Sequence, residues 1–146
     1  MQIRIMNAAD YDRVFALWLH TPGMGLNDVD DSREGIERYL RRNPQTCFVA
    51  ENQDGIVGVM LSGHDGRRGF IHHAAVATEQ RRQGIGEALT ERVLEALRKE
   101  GITKVALVAY ERNVVGNQFW ESHGFLERTD LIYRDKTLRD FSTLST

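Results

Sequence analysis

The sequence predicts a single domain of the α/β (α+β) class, in which a mixed central sheet is flanked by about four helices. The 146 residues suffice for one hydrophobic core but hardly for two domains. The first half holds three consecutive strand patterns joined by tight turns, which indicates an antiparallel meander. The second half alternates strand, helix, strand, helix and strand, which favours a parallel pair in the middle of the sheet.

The N-terminal elements are a strand and two helices. Residues 1–6 alternate between apolar and polar side chains, which predicts a short strand. Asn7 is a good N-cap for an amphipathic helix that ends at the Thr-Pro-Gly sequence of residues 21–23. Asp31, followed three residues later by Glu34, resembles a capping box and predicts a short second helix.

Three strands follow in the middle of the chain. Residues 47–51 and 56–62 are apolar and flank an Asn-Gln-Asp-Gly turn, so we expect a hairpin. Residues 70–76 form the third strand after a Gly-rich turn. A strict period of two places His73 on one face of this strand. The opposite face is expected to carry Phe70, His72, Ala74 and Val76.

The second half contains the strongest helix pattern, at residues 85–100, closed by Gly101. A buried type of strand follows at residues 104–109. Because a strand–helix–strand crossover joins parallel neighbours, we expect this strand beside residues 70–76.

The C-terminal part begins with a helix that Asn113 caps and Gly124 ends. Residues 125–133 form the last predicted strand, and residues 135–146 form a polar tail. No repeat, low-complexity tract or linker interrupts the chain, so residues 1–146 are expected to form one domain.

Composition disfavours several classes of protein. Hydrophobic residues make up 41% and charged residues 27% of the chain, as in globular domains. Cys47 is the only cysteine, which excludes a disulfide framework and a cysteine-based zinc site and favours the cytoplasm. The net charge of −2 argues against a nucleic-acid partner. No apolar run predicts a transmembrane helix or a signal peptide, so no membrane partner is expected.

The segment most informative about chemistry is Arg-Arg-Gln-Gly-Ile-Gly at residues 81–86, between a predicted strand and the strongest helix. A helix N-terminus offers unpartnered N–H groups and partial positive charge. The two glycines permit close approach, and the two arginines add charge. The segment therefore predicts a phosphate or pyrophosphate site, with a purely structural turn as the alternative. It fits neither the P-loop nor the three-glycine dinucleotide motif.

Two motifs together resemble those of the GNAT N-acetyltransferase superfamily. Val76, Glu79 and residues 81–86 are similar to its acyl-CoA motif, Gln/Arg-x-x-Gly-x-Gly/Ala. The second signature, Asn-x5-Phe-Tyr-x3-Gly-Phe, is matched by Asn113, Phe119, Trp120, Gly124 and Phe125, with Trp in place of Tyr. The resemblance spans nearly the whole chain and implies the GNAT fold, with antiparallel N-terminal strands and a splayed parallel pair.

The resemblance implies acetyl-CoA as the co-substrate and no metal. In such enzymes the pantetheine arm bonds to exposed backbone where the parallel strands splay apart. Small side chains suit that approach, although ordinary core packing would also select them. The implied binding residues are Ala74, Ala75, Val76, Arg81, Arg82, Gln83, Gly84, Ile85, Gly86, Asn113 and Phe119.

The implied reaction is direct acetyl transfer from the thioester to a primary amine of a small molecule, amino acid or protein N-terminus. The amine must lose a proton, and His72 is the first candidate base because imidazole titrates near neutral pH. A half-buried histidine bonded to a neighbouring strand is the alternative, and Glu111 is the second candidate base. Trp120 stands where the family has Tyr, and an indole cannot protonate the leaving thiolate. Candidates to replace that tyrosine are Tyr110, Ser122, His123 and a water.

The acceptor remains open. Residues 27–34 carry four acidic side chains and one basic side chain, a balance that suits a cationic amine. A solvated acidic loop is the alternative. Trp120 favours a second hypothesis, a non-catalytic acyl-CoA-binding or sensor module of the same fold. We leave a homodimer open.

Overall fold

A computed structural model describes residues 1–146. Its strands are β1 (Gln2–Ile5), β2 (Leu26–Asn27), β3 (Phe48–Asn52), β4 (Gly55–His64), β5 (Gly69–Val76), β6 (Val105–Ala106) and β7 (Thr143–Leu144). Its helices are α1 (Tyr11–Leu19), α2 (Arg33–Arg42), α3 (Ile85–Lys99) and α4 (Val114–Ser122). Five strands form a mixed sheet in the order β1-β3-β4-β5-β6, and β2 pairs with β7. Only β5 and β6 are parallel, which confirms the predicted meander and crossover.

The two faces of the sheet carry separate hydrophobic cores. Trp18 of α1 and Leu40 of α2 pack on one face, together with Val59 of the sheet. Leu89 and Val93 of α3 pack on the other face. Burying a side chain of this size stabilises a fold by roughly 1.5–3 kcal/mol, so helices on both sides hold β4 and β5 firmly. None of the helices combines the length and the apolar character needed to cross a bilayer.

A β-bulge interrupts β5 near its middle. The register with β4 shifts between Val59 and Leu61, whose partners are Ala75 and His72. Two residues of β5 therefore lie opposite a single residue of β4. A bulge of this kind bends its strand and redirects the side chains that follow it.

The bulge reverses the alternation of side chains along β5. Beyond it, Ala75 packs in the core under α1 and α2, whereas Ala74 and Val76 pack in the core under α3. His72, before the bulge, lies edge-on to Tyr39 of α2 with 5.8 Å between ring centroids. The prediction that His72 shares a face with Ala74 and Val76 is therefore wrong, because a strict period of two cannot register the extra residue.

The parallel pair separates after two residues. Gly69 lies opposite Val105 and Phe70 lies opposite Ala106, and β6 then ends. The strand predicted at residues 104–109 is accordingly shorter in the structure. The rest of β5 has no strand on this side, so its backbone borders a gap open to an added chain.

The strand predicted at residues 125–133 is absent. This segment has no regular structure, and the side chains of Leu126 and Ile132 are 77% and 75% exposed. A strand needs a neighbour with free backbone groups, and β6 ends too early to provide one. The end of the predicted polar tail is ordered differently, because Leu144 in β7 pairs with the buried Leu26 of β2.

Candidate active site

The loop before α3 presents a row of free backbone amides. Arg82 and Gly84 adopt left-handed conformations with φ values of 65° and 78°. The first hydrogen bond of the helix runs from the Ala88 N–H to the Gly84 carbonyl oxygen at 3.0 Å. The N–H groups of residues 82–87 have no partner within the protein. Consecutive amides in such a turn form an anion-binding concavity at the positive end of the helix dipole.

Two exposed arginines adjoin this row of amides. Arg81 Nε donates a hydrogen bond of 3.3 Å to the carbonyl oxygen of Val76, the last residue of β5. The Arg82 side chain makes no hydrogen bond or ion pair in the protein and extends into solvent. The loop thus combines unpartnered donors with two positive charges, an arrangement suited to a phosphate or pyrophosphate group.

Helix α4 lies against the start of α3. A Cβ atom added at Gly86 would lie 3.1 Å from the Phe119 ring, so the absence of a side chain permits this close approach. Asn113 Oδ1 accepts a 3.0 Å hydrogen bond from the Gly116 N–H, which confirms the predicted N-cap. Phe119 is therefore held beside the anion-binding loop, and Asn113 begins the helix that carries it.

Trp120 has a packing role in the structure. Its ring lies edge-on to Phe119 and Phe125, with centroid distances of 5.0 and 5.1 Å. It is half-buried against the core under α3. The indole N–H makes no hydrogen bond within the protein and remains a donor, but it is not an acid.

His72 carries a free imidazole on the α2 side of β5. Its ring lies 4.6 Å from that of Phe70, and neither ring nitrogen has a hydrogen-bond partner in the protein. Desolvation by the surrounding protein lowers the pKa of His72, and the nearby His73 lowers it further. His72 is therefore neutral at pH 7, with a lone pair available to accept a proton.

His73 lies in the bulge and bonds to a buried aspartate. Its φ of 49° is a left-handed conformation that is unusual for a residue with a side chain. His73 Nε2 donates to Asp31 Oδ1 at 2.8 Å, and the His73 carbonyl oxygen accepts from Trp18 Nε1 at 3.0 Å. The expectation that His73 faces away from His72 is wrong, since the two rings lie on the same side with centroids 6.2 Å apart.

Asp31 connects three parts of this face rather than capping α2. Ser32 is the actual N-cap, and its Oγ accepts from the Gly35 N–H at 3.0 Å. Asp31 Oδ2 accepts from the Asn27 N–H at 2.8 Å, and its carbonyl oxygen accepts from the Tyr11 hydroxyl at 2.7 Å. The loop between α1 and α2 is thereby fixed to α1 and to β5. The sequence shows an aspartate in an acidic loop and a pair of histidines in a strand. It does not show that these residues contact one another.

The remaining candidates lie at the end of the segment after β6. The Tyr110 hydroxyl lies 3.2 Å from a Cβ added at Gly25, which places it against the loop between α1 and α2. The Arg112 guanidinium lies over its ring at 4.2 Å. Glu111 is exposed and makes no hydrogen bond or ion pair with the histidines. The structure thus brings together His72, His73 and Asp31, with Tyr110 at the neighbouring loop and Glu111 apart.

Substitutions at His73 test the bulge. We expect His73→Asn to lose about 1–2 kcal/mol of stability, because asparagine tolerates the left-handed conformation but its shorter amide does not reach Asp31 as Nε2 does. His73→Val should lose about 2–5 kcal/mol, because a β-branched residue is strained there and the buried carboxylate loses a partner. Urea unfolding of both variants measures the difference. Equal stabilities would contradict this account of the bulge.

Comparisons with known proteins agree with this geometry. The model of the acetyltransferase (GNAT) family matches residues 11–125. An acetyltransferase from Yersinia enterocolitica is 33% identical over 113 residues, which cover 77% of this chain and 79% of that protein. An acetyltransferase from Photorhabdus laumondii is 34% identical over 117 residues, covering 77% and 78%.

Solved structures show the same fold. Ard1 from Thermoplasma volcanium superposes with a TM-score of 0.74 at 21% identity, covering 86% of this chain and 82% of that one. Diaminobutyrate acetyltransferase EctA from Paenibacillus lautus, in complex with L-2,4-diaminobutyric acid and coenzyme A, has a TM-score of 0.70 at 24% identity, covering 84% and 73%. The chain has an anion-binding loop and separated parallel strands, and the family model covers most of its length. It therefore belongs to the acetyltransferase (GNAT) family.

Proposed function

We propose that this protein is an acetyl-CoA-dependent N-acetyltransferase acting on a primary amine of a small molecule, amino acid or protein N-terminus. One observation carries the proposal. The free amides of residues 82–87 lie at the end of β5, where that strand has lost its parallel neighbour. The anion site would bind a pyrophosphate, and the open strand edge next to it would bind a chain that contains amide groups. A ligand with both parts in this order fits the site.

The residues present fit such a co-substrate. The amides of residues 82–87 would hold the pyrophosphate, with Arg81 and Arg82 neutralising its charge. The backbone of Ala74, Ala75 and Val76 would accept and donate hydrogen bonds to the pantetheine arm, which supplies the acetyl group as a thioester. Phe119, which α4 holds against the loop, and Asn113, the N-cap of α4, would flank the arm.

The chain must then prepare the acceptor. An ammonium group is not nucleophilic, so a base must remove its proton before the nitrogen attacks the thioester carbon. We assign that role to His72, whose lone pair is free and whose lowered pKa keeps it neutral at pH 7. The carbon–sulfur bond breaks as the carbon–nitrogen bond forms. A proton for the departing thiolate would come from Tyr110 or water, because the indole N–H of Trp120 is not acidic enough to supply one.

The similar proteins support amine acetylation in general terms. The curated relatives are named acetyltransferases, and one solved neighbour holds a diamino acid with coenzyme A. The acidic loop at residues 27–34 is consistent with a cationic acceptor. Asp31 is buried and bonded to His73, but Glu34 remains exposed in that loop.

The test is release of free CoA thiol from acetyl-CoA in the presence of a panel of amines. We expect release that depends on both substrates, with the acetylated amine detected by mass spectrometry. The competing hypothesis is a non-catalytic acyl-CoA sensor, which Trp120 favours. Thermal stabilisation by CoA without turnover of any amine would support the sensor and contradict the enzyme.

A further inference from the structure

A shallow cavity of about 310 Å³, open to solvent, lies beside His72, between α2 and the turn that joins β4 to β5. Tyr39 and Arg42 of α2 form one side, and Arg68 lies on the turn opposite. Phe70 and His72 of β5 form part of its lining. Of the residues that line this cavity, only His72 has a role in the proposed reaction.

The lining of the cavity has a net positive charge. The guanidinium groups of Arg42 and Arg68 are exposed and make no hydrogen bond or ion pair in the protein. The acidic residue of the lining, Asp65, accepts two backbone N–H bonds of 2.8 Å from the turn itself. His64, which also lines the cavity, is bonded to Glu100 at 2.8 Å. Arg42 and Arg68 therefore outnumber the single carboxylate of the lining, Asp65, and leave a net positive charge.

The walls add a neutral donor and flat apolar surface. The Tyr39 hydroxyl has no hydrogen-bond partner in the protein, and burial raises the pKa of that hydroxyl, so it stays protonated. The rings of Phe70 and His72 lie 4.6 Å apart, and Tyr39 meets His72 edge-on. Planar guanidinium groups, a phenol and aromatic walls are the set that recognises a carboxylate attached to a short organic chain.

The position of His72 connects this cavity to the proposed chemistry. Gly69 and His72 are three residues apart along β5, roughly 10 Å at the rise of a strand. A molecule whose anionic end lies near Arg68 could thus extend its other end to the base. We propose that the cavity binds a carboxylate of the acceptor, so that the acceptor is an amino acid or short peptide and not a simple amine. This inference rests on the proposed function.

The test compares each acceptor with its own amide. Amino acids, γ- and δ-amino acids and dipeptides are assayed beside the matching carboxamides, at saturating acetyl-CoA. We expect kcat/KM for the best carboxylate to exceed that for its amide at least tenfold. Amines bearing a phosphate in place of the carboxylate form a third arm. A preference for the phosphate arm, or equal rates for acids and amides, would overturn the proposal while leaving the acetyltransferase in place.

Arginine variants locate the effect. Arg42→Gln and Arg68→Gln should each raise KM for the carboxylate acceptor about tenfold and leave its amide unchanged. Arg67→Gln is the matched control, because Arg67 is exposed on the same turn but does not line the cavity. An equal rise in Arg67→Gln would overturn the proposal.

A binding readout separates this inference from the proposed function. Saturation-transfer NMR of the same acids, with CoA present, reports binding without turnover. If no amine is acetylated by the wild type, the proposed function fails. The proposal that the cavity binds carboxylates is then supported only if the acids bind to the wild type and the binding signal is lost in Arg42→Gln and Arg68→Gln. Absence of binding to the wild type would overturn it.

Discussion

Gly84→Glu is expected to weaken CoA binding at least a hundredfold. Gly84 is the N-cap of α3 with a φ of 78°, next to the free amides of the loop. A Cβ added there meets no atom within 4 Å, so a glutamate side chain has room to turn toward the free amides, where the pyrophosphate is proposed to lie. Its carboxylate would occupy the amides as an internal anion and repel the ligand. Isothermal titration with CoA measures the loss.

Two variants separate charge from backbone strain. Gly101, after the other end of α3, has the same φ of 78° and equally open surroundings. Gly101→Glu should therefore cost a similar 1–2 kcal/mol of stability, roughly, and leave CoA affinity unchanged. Gly84→Ala adds strain without charge and should weaken binding only a fewfold. Equal affinities of Gly84→Glu and Gly101→Glu for CoA would remove the pyrophosphate from this loop.

The parts of the fold that depend on local chemistry were mostly predicted correctly. Asn113 caps α4 as predicted, whereas Asn7 caps the 3₁₀ turn Ala8–Asp10 that leads into α1, through a hydrogen bond from the Ala9 N–H, and not α1 itself. Gly101 adopts the left-handed conformation expected after a helix. Each signal acts within a few residues, so the sequence alone contains the interaction that determines the structure.

The incorrect predictions concern positions whose structure depends on contacts with residues distant in the sequence. Asp31 was expected to cap α2, but it meets His73, which is 42 positions away, and the adjacent Ser32 takes the cap. Both roles are open to an aspartate at this position. Only the packing of the loop against the bulge of β5 selects between them, and no local pattern encodes that packing.

The strand predicted at residues 125–133 shows a different limit. Its apolar side chains form two groups, at residues 125–126 and 131–133, and aromatic and β-branched residues of this kind favour a strand. The structure has no strand beside it, because the pairing of β5 and β6 ends at Ala106. Residue type favours an extended segment but does not supply the neighbouring strand that would pair with it.

His72→Ala is expected to lower kcat/KM about a hundredfold to ten-thousandfold near pH 7, the range for loss of a general base. The pKa of His72 lies below its ordinary value of 6.5, so the wild-type rate should fall only as the pH drops below about 6.5. Without the base, the reaction needs acceptor that is already deprotonated, whose fraction rises tenfold per pH unit below the pKa of the amine. The ratio of the wild-type kcat/KM to that of His72→Ala should therefore be largest at low pH and decrease as the pH rises.

The shape of the pH profile distinguishes a base from a wall of the carboxylate cavity. If His72 only contacts the acceptor, His72→Ala should raise KM by a constant factor and keep the wild-type pH dependence of kcat. Exposed His20 serves as the control, since His20→Ala removes an imidazole at the end of α1 and should leave the profile intact. An unchanged acid limb in His72→Ala would exclude His72 as the base. The same measurement on Glu111→Gln would then decide whether a carboxylate acting through water takes the proton, because loss of the base should remove the acid limb of the profile.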